Sequence, residues 1–262
     1  MMRLLTAFLL LAAVASAAAP PGDVRFTQHL GSSLPLDVVM VDSLGRRAPL
    51  REWFRGQPVL LWFGYAHCPQ LCGVIADGMV TSLRRLRPSV GRDFDVIRVS
   101  IDPEETSTEA EADRASVIGQ YGRTGAGTGW HYLTGDIRSI GAVTSAAGFG
   151  YREDSRSRQF AHPSGFLVVT PSGRVSAYFL GVDFSADEIA KALEGARTEG
   201  IGARVYDLVL VCFRGDAIGG RYGVLIWRAL WVAVLLTVVL LAGGIGRMLW
   251  REFRGRKGEL AA

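Results

Sequence analysis

The sequence predicts an α/β domain, a central sheet with flanking helices, followed by one C-terminal transmembrane helix. Three observations carry that reading. A continuous apolar run at 58–65 and a β-branched segment at 94–101 have the length and content of buried strands. Apolar residues at helical spacing follow the first run, and a capped helix start follows the second. A stretch without charge, at 229–246, stands apart near the end of the chain.

The first residues, MMRLLTAFLLLAAVASA, place Arg3 before an apolar run and end it with Ala15, Ser16 and Ala17. That is the pattern of an export signal cut after Ala17, and the run is short for a bilayer span. A Pro-containing lead follows at 18–35, read as an extended linker or docking strand, with His29 as a solvated linker residue.

Leu36 to Val41 and Ala48 to Leu50 flank the turn sequence Asp42-Ser43-Leu44-Gly45-Arg46, which predicts two strands. The run from Pro58 to Tyr65 is the central strand. Ile75, Met79, Leu83 and Leu86 recur at helical spacing, which predicts a helix over 71–86. Phe94 to Ile101 forms the second buried strand. Asp102-Pro103-Glu104-Glu105 reads as a helix start, with a capping acid, a first-turn proline and acids favoured by the dipole. That helix reaches about Tyr121, before a glycine-rich loop. His131 falls in a partly buried strand, a short helix covers 137–147, and strands at 164–170 and 175–180 flank Pro171-Ser172-Gly173. Ser185 caps a last helix through Ala196. Strands alternating with helices, then a hairpin and a helix, make a sheet with helices on both faces.

The run at 229–246 is long enough to cross the hydrocarbon core, which takes about 20 apolar residues, and it has no polar face. Trp227, Trp231 and Trp250 lie towards its ends, at headgroup level. The tail carries Arg247, Arg251, Arg254, Arg256 and Lys257 against Glu252 and Glu259, so the positive-inside rule leaves it in the cytoplasm and the domain outside. The net charge of +4 reflects this tail in part, and the cluster Arg84, Arg85 and Arg87 reads as a solvated helix face. No nucleic-acid partner is expected.

Three cysteines are too few for a disulfide scaffold, so their role is chemical. Cys68 and Cys72 stand four apart where the central strand passes into a helix. Residues at that spacing share one helix face, and a helix N-terminus favours thiolate. The spacing is neither the Cys-x2-Cys of thioredoxin-like redox proteins nor the repeated pairs of zinc ribbons. Two soft sulfurs suit Cu(I), and an added imidazole makes a site Cu(II) can also use. A structural disulfide is the plainer alternative. Of the four histidines, His162 is the best third ligand, because Phe160 to Gly165 reads as a loop directly before a strand. His67 adjoins Cys68, which makes simultaneous ligation awkward and leaves it a secondary candidate. Cys212, between domain and span, reads as a small buried residue or an unpaired thiol, with a copper or disulfide relay as a minor option.

The segment VLLWFGYAHCPQLC, followed by VIRVSIDPEET and a single histidine before a strand-turn-strand, resembles the SCO/SenC family of copper proteins. The resemblance runs from about Leu36 to Ala196. It implies a thioredoxin-like fold, copper held by Cys68, Cys72 and His162, and help in assembling the copper centre of cytochrome c oxidase. It also implies a copper-receiving subunit of a haem-copper oxidase as partner. Two positions depart from the family pattern: Ala161 stands where an acid is common before the histidine, and Gly73 where proline follows the second cysteine. Loss of that acid removes a partner for the imidazole.

The expected organisation is thus a signal peptide at 1–17, a lead at 18–35, a thioredoxin-like copper-binding domain at 36–200 and a membrane-proximal segment at 201–223. A transmembrane helix at 224–249 and a cytoplasmic tail at 250–262 complete it. The expected function is a copper chaperone in the inner membrane, single-pass, with its domain in the periplasm or outside. The alternative is a thiol-disulfide reductase in which Cys68 and Cys72 are the catalytic pair, acting on an oxidase subunit or another exported protein.

Overall fold

A computed structural model of the chain describes residues 24–66, 68, 72–155, 157–205, 211–212, 230–244 and 247. The chain divides into two compact units, residues 21–215 and the two ends together, 1–20 with 216–262. The predicted signal peptide lies outside the described residues.

In the larger unit the described strands are β1 (Val39–Asp42), β2 (Arg47–Pro49), β3 (Val59–Gly64), β4 (Asp95–Ser100), β5 (Trp130–Thr134), β6 (Arg152–Asp154), β7 (Gln159–Pro163), β8 (Gly165–Val169), β9 (Val175–Leu180) and β10 (Val211–Cys212). Its helices are α1 (Cys72–Arg85), α2 (Ser107–Tyr121), α3 (Ile137–Ala146) and α4 (Ala186–Arg197). Seven strands form one sheet in the order β2-β1-β5-β4-β3-β8-β9, and three form a smaller one, β10-β7-β6.

β3, β4 and β5 run parallel, and every other pairing is antiparallel. Parallel neighbours need long crossovers, and α1 and α2 supply them. β3 and β4 are buried at every residue, and the continuous apolar run of β3 predicts this. On one face, Leu60, Trp62, Val96, Tyr132 and Phe166 pack with α1, α2 and α4. On the other, Leu61, Phe63, Ile97, Val99 and Leu167 pack with Val143 of α3 and with Phe26, Leu34 and Trp53. Residues 24–35 lie along this second face, with Phe26 bridged to Phe149 and Ser33 to Arg174.

β4 carries two charged residues, Asp95 at its start and Arg98 in its middle. Arg98 has no exposed side-chain surface; its guanidinium pairs with Glu105, reaches Asp113 at 3.3 Å, and lies 4.4 Å over the Tyr132 ring. An uncompensated buried cation is costly, so both acids are drawn to it. This corrects the expected helix start. With Glu105 turned inward, α2 begins at Ser107, where Thr106 and Glu109 form a reciprocal capping box. Asp102 instead accepts from Glu104 N–H at 2.9 Å in the preceding turn.

The segment 160–165, expected as a loop, is also corrected. Residues 159–163 form β7, hydrogen-bonded to β6 and β10 in the smaller sheet. One of its two partners, β10, is remote in sequence, and no local pattern announces that pairing. The chain passes from β7 into β8 at Gly165, whose φ is 142° and where a Cβ would lie 2.2 Å from the Phe179 carbonyl oxygen. Only glycine fits there.

In the second unit the described helical residues 230–244 are exposed along their length. No helix among the described residues is long and apolar enough to cross a membrane. The run 229–246 extends past the described residues at both ends.

The packing of α1 against the loop before α4 is testable at Gly78, where a Cβ would lie 2.3 Å from the Val182 carbonyl oxygen. Alanine normally stabilises a helix over glycine by about 1 kcal/mol. Here Gly78→Ala is expected to destabilise by about 1–3 kcal/mol through overpacking, read as a lower urea midpoint; a raised midpoint would contradict the packing.

Candidate metal centre

The site lies at the carboxyl ends of the parallel strands, where open α/β sheets bind ligands. β3 ends at Gly64, whose carbonyl accepts from Ile101 N–H at 3.0 Å. Beyond that bond the two chains diverge, one through Tyr65 and Ala66 to Cys68, the other through Asp102 to Glu105. Cys68 is half-buried and packs against the apolar layer on the second face of the sheet. Cys72 is the first residue of α1. Its side chain and all of His67 lie outside the described residues.

His162 arrives on β7 and is fully buried. The Phe149 ring lies 5.9 Å from its imidazole, tilted by 34°, and the Tyr65 ring lies 6.3 Å away, edge-on. Tyr65 also accepts from Phe160 N–H through its hydroxyl at 3.3 Å. A residue three before Cys68 is therefore locked to the strand that carries His162. Among the described residues, it is Tyr65 at the end of the β3 chain that meets His162.

The imidazole is oriented by its own strand. Nδ1 lies 3.0 Å from the Pro163 carbonyl oxygen and donates to it, which places the lone pair on Nε2. Ala161, where an acid was missed, is buried opposite the exposed Arg152. A carboxylate there would be desolvated, and the Pro163 carbonyl serves the imidazole in its place.

Among the described residues no three His, Cys, Asp or Glu side chains converge as a metal-holding group. The donors that can be examined fit a soft ion. Cys68 offers sulfur, and His162 is held in the tautomer that offers nitrogen. Residue 212 stands directly opposite His162 in the β10–β7 pairing, a proximity the sequence gave no means of predicting.

Two nearby acids differ in role. Burial holds the Asp102 carboxyl above its ordinary range, opposed by the Glu104 N–H bond. Glu104 is exposed and pairs with Arg158 at 2.5 Å, and Arg158 reaches Glu153 at 3.1 Å, tying the β6–β7 hairpin to the loop after β4. The sequence reading missed Glu105, which accepts from Ala66 N–H at 3.0 Å. The signal was an arginine between Ile97 and Val99 in a buried strand, which requires a buried acid nearby.

His131 lies outside this cluster. It sits on β5, with Nε2 4.0 Å from Asp95, and Arg55 and Gln57 share the same carboxylate. Burial pulls its pKa down to about 4, with Asp95 opposing and Arg55 and Arg114 assisting.

A family model described as SCO1/SenC matches residues 40–197, more than half of the chain. The chain belongs to the SCO1/SenC family. Over 77 residues it is 35% identical to Protein SCO2 homolog, mitochondrial, of Homo sapiens, a match covering 29% of each chain. The chain thus spans under a third of the length of the curated relatives it matches. A putative electron transfer protein of Aquifex aeolicus VF5 is 28% identical and superposes with a TM-score of 0.56, covering 65% of this chain and 96% of that one. BsSco, described as a member of the Sco family of cytochrome c oxidase assembly proteins with a disulfide switch, is 20% identical with a TM-score of 0.51 over 66% of this chain and 98% of that one. These likenesses agree with a central sheet flanked by helices in the thioredoxin-like manner of the family.

The depressed His131 pKa gives this fold a pH dependence. Between about pH 6.5 and 4 the unfolded chain binds a proton that the folded chain does not, so stability falls as pH falls through that window and levels off below it, by about 1.4 kcal/mol per pH unit at most. Urea unfolding of the metal-free protein from pH 7 to 4 is expected to lose part of this slope in His131→Asn. An unchanged slope would contradict the assignment.

Proposed function

We propose that this SCO1/SenC protein is a copper chaperone whose cargo is held by the thiolates of Cys68 and Cys72 and by Nε2 of His162. The observation that carries the reading is the locking of Tyr65, three residues before Cys68, against His162 and its strand. It ties the chain that leads to Cys68 to the strand that carries the histidine. The start of α1 at Cys72 supports thiolate character. The tautomer fixed by Pro163 supports nitrogen ligation by His162.

The receiver in this reading is a copper-accepting subunit of a haem-copper oxidase, and transfer proceeds by exchange of ligands. The uncharged run at 229–246 anchors the chain as a single span, with the basic tail inside and the domain on the outer, periplasmic side. Helical residues 230–244, apolar around their circumference, support that role.

A second reading is favoured by the same cysteine placement. As a reductase, the Cys68 thiolate would attack a partner disulfide, forming a mixed disulfide and releasing one partner thiolate. Cys72 would then close a Cys68–Cys72 disulfide and release the second. The two readings are compatible, since copper enters only the reduced pair, and an exported compartment tends to oxidise it.

Anaerobic competition titration of the reduced, full-length protein in detergent tests the first reading. One Cu(I) per chain is expected. Cys68→Ser and Cys72→Ser should lose affinity by more than His162→Ala, which is expected to lose about 10–100-fold. Wild-type affinity in Cys68→Ser and His162→Ala would contradict it.

A further inference from the structure

Resting on the copper reading of the cysteine loop, we propose that Glu105 is a positioning residue for that loop, acting through the backbone of Ala66. Its carboxylate is buried and shared three ways. One oxygen, Oε1, meets the Arg98 guanidinium. The other, Oε2, accepts from Ser100 Oγ at 2.7 Å and from Ala66 N–H at 3.0 Å. Arg98 stands on the central strand with no exposed side-chain surface, and Asp113 and the Tyr132 ring hold it from the other side. The acceptor offered to Ala66 is therefore fixed to the centre of the sheet.

Ala66 lies just past the last backbone bond joining the β3 and β4 chains, and two residues before Cys68. Its N–H has left the ladder and needs another acceptor. An ionised carboxylate is a stronger acceptor than a neutral group. Paired with Arg98, it supplies that strength without adding net negative charge beside two thiolates. The contact sets where the chain turns out of the sheet towards Cys68, and so how Cys68 meets its copper partners.

Replacing Glu105 alone would strand Arg98, so the test removes both charges together, which proteins commonly tolerate. R98M/E105Q keeps an acceptor for Ala66 N–H, and R98M/E105M has none. Three quantities are read on full-length protein: hydrogen exchange of the Ala66 amide, Cu(I) affinity by competition, and the dithiol-disulfide midpoint of Cys68 and Cys72. In the wild type the Ala66 amide is expected to be protected. In R98M/E105M it should exchange at least about tenfold faster than in R98M/E105Q, with Cu(I) affinity about 10–100-fold lower. The dithiol-disulfide equilibrium should shift by about tenfold between the two.

An unprotected Ala66 amide in the wild type would overturn the proposal without any variant. So would two double variants alike in copper affinity and midpoint, even if Ala66 exchange differed, since Glu105 would then be a structural contact only. A wild-type chain that bound no Cu(I) would instead remove the copper reading, and the midpoint would still decide the role of Glu105.

Discussion

Arg98 is a full positive charge on the middle strand of the sheet, and it has no exposed side-chain surface. Burying it is tolerable only because Glu105 and Asp113 reach it and the Tyr132 ring covers it. Trp62, Arg98 and Tyr132 are register partners across β3, β4 and β5, so the charge lies in a row that crosses all three parallel strands. Meeting its demand turns Glu105 inward and delays the start of α2 to Ser107. It also places a strong acceptor under the chain that leads to Cys68.

The histidine side of the site is held by different means. His162 is enclosed by Phe149 and Tyr65 and oriented by the carbonyl of the next residue. Tyr65 joins the two sides, with its ring edge-on to His162 and its hydroxyl accepting from the backbone of β7. A soft ion suits such an enclosure, because thiolates and imidazole satisfy it without further charged oxygen ligands. Exposed pairs from Arg158 to Glu104 and Glu153 link the hairpin to the same loop, but at 61% and 73% exposure for Arg158 and Glu104 they add little stability.

What could be read in the sequence was what depends on near neighbours. The segments at 58–65 and 94–101 announced buried strands through their β-branched and aromatic residues, and Cys68 and Cys72 stood out because their spacing is local. His162 was found by its placement before a strand, although the segment bearing it proved to be a strand of the smaller sheet. That sheet joins a local hairpin, β6–β7, to a strand distant along the chain, which pairs His162 with Cys212, and no local pattern encodes that second pairing. The helix start was misplaced because Asp102-Pro103-Glu104-Glu105 satisfies every local rule for a cap. Tertiary demand from Arg98 took Glu105 for another purpose. An arginine between Ile97 and Val99 was the visible clue.

The central claim is that Cys68, Cys72 and His162 form one copper site. X-ray absorption spectroscopy of the reduced chain loaded with Cu(I) tests it most directly. The account predicts two sulfur scatterers and one imidazole nitrogen on copper, with the nitrogen lost in His162→Ala. A copper shell of oxygen and nitrogen alone, or one unchanged by that substitution, would contradict it.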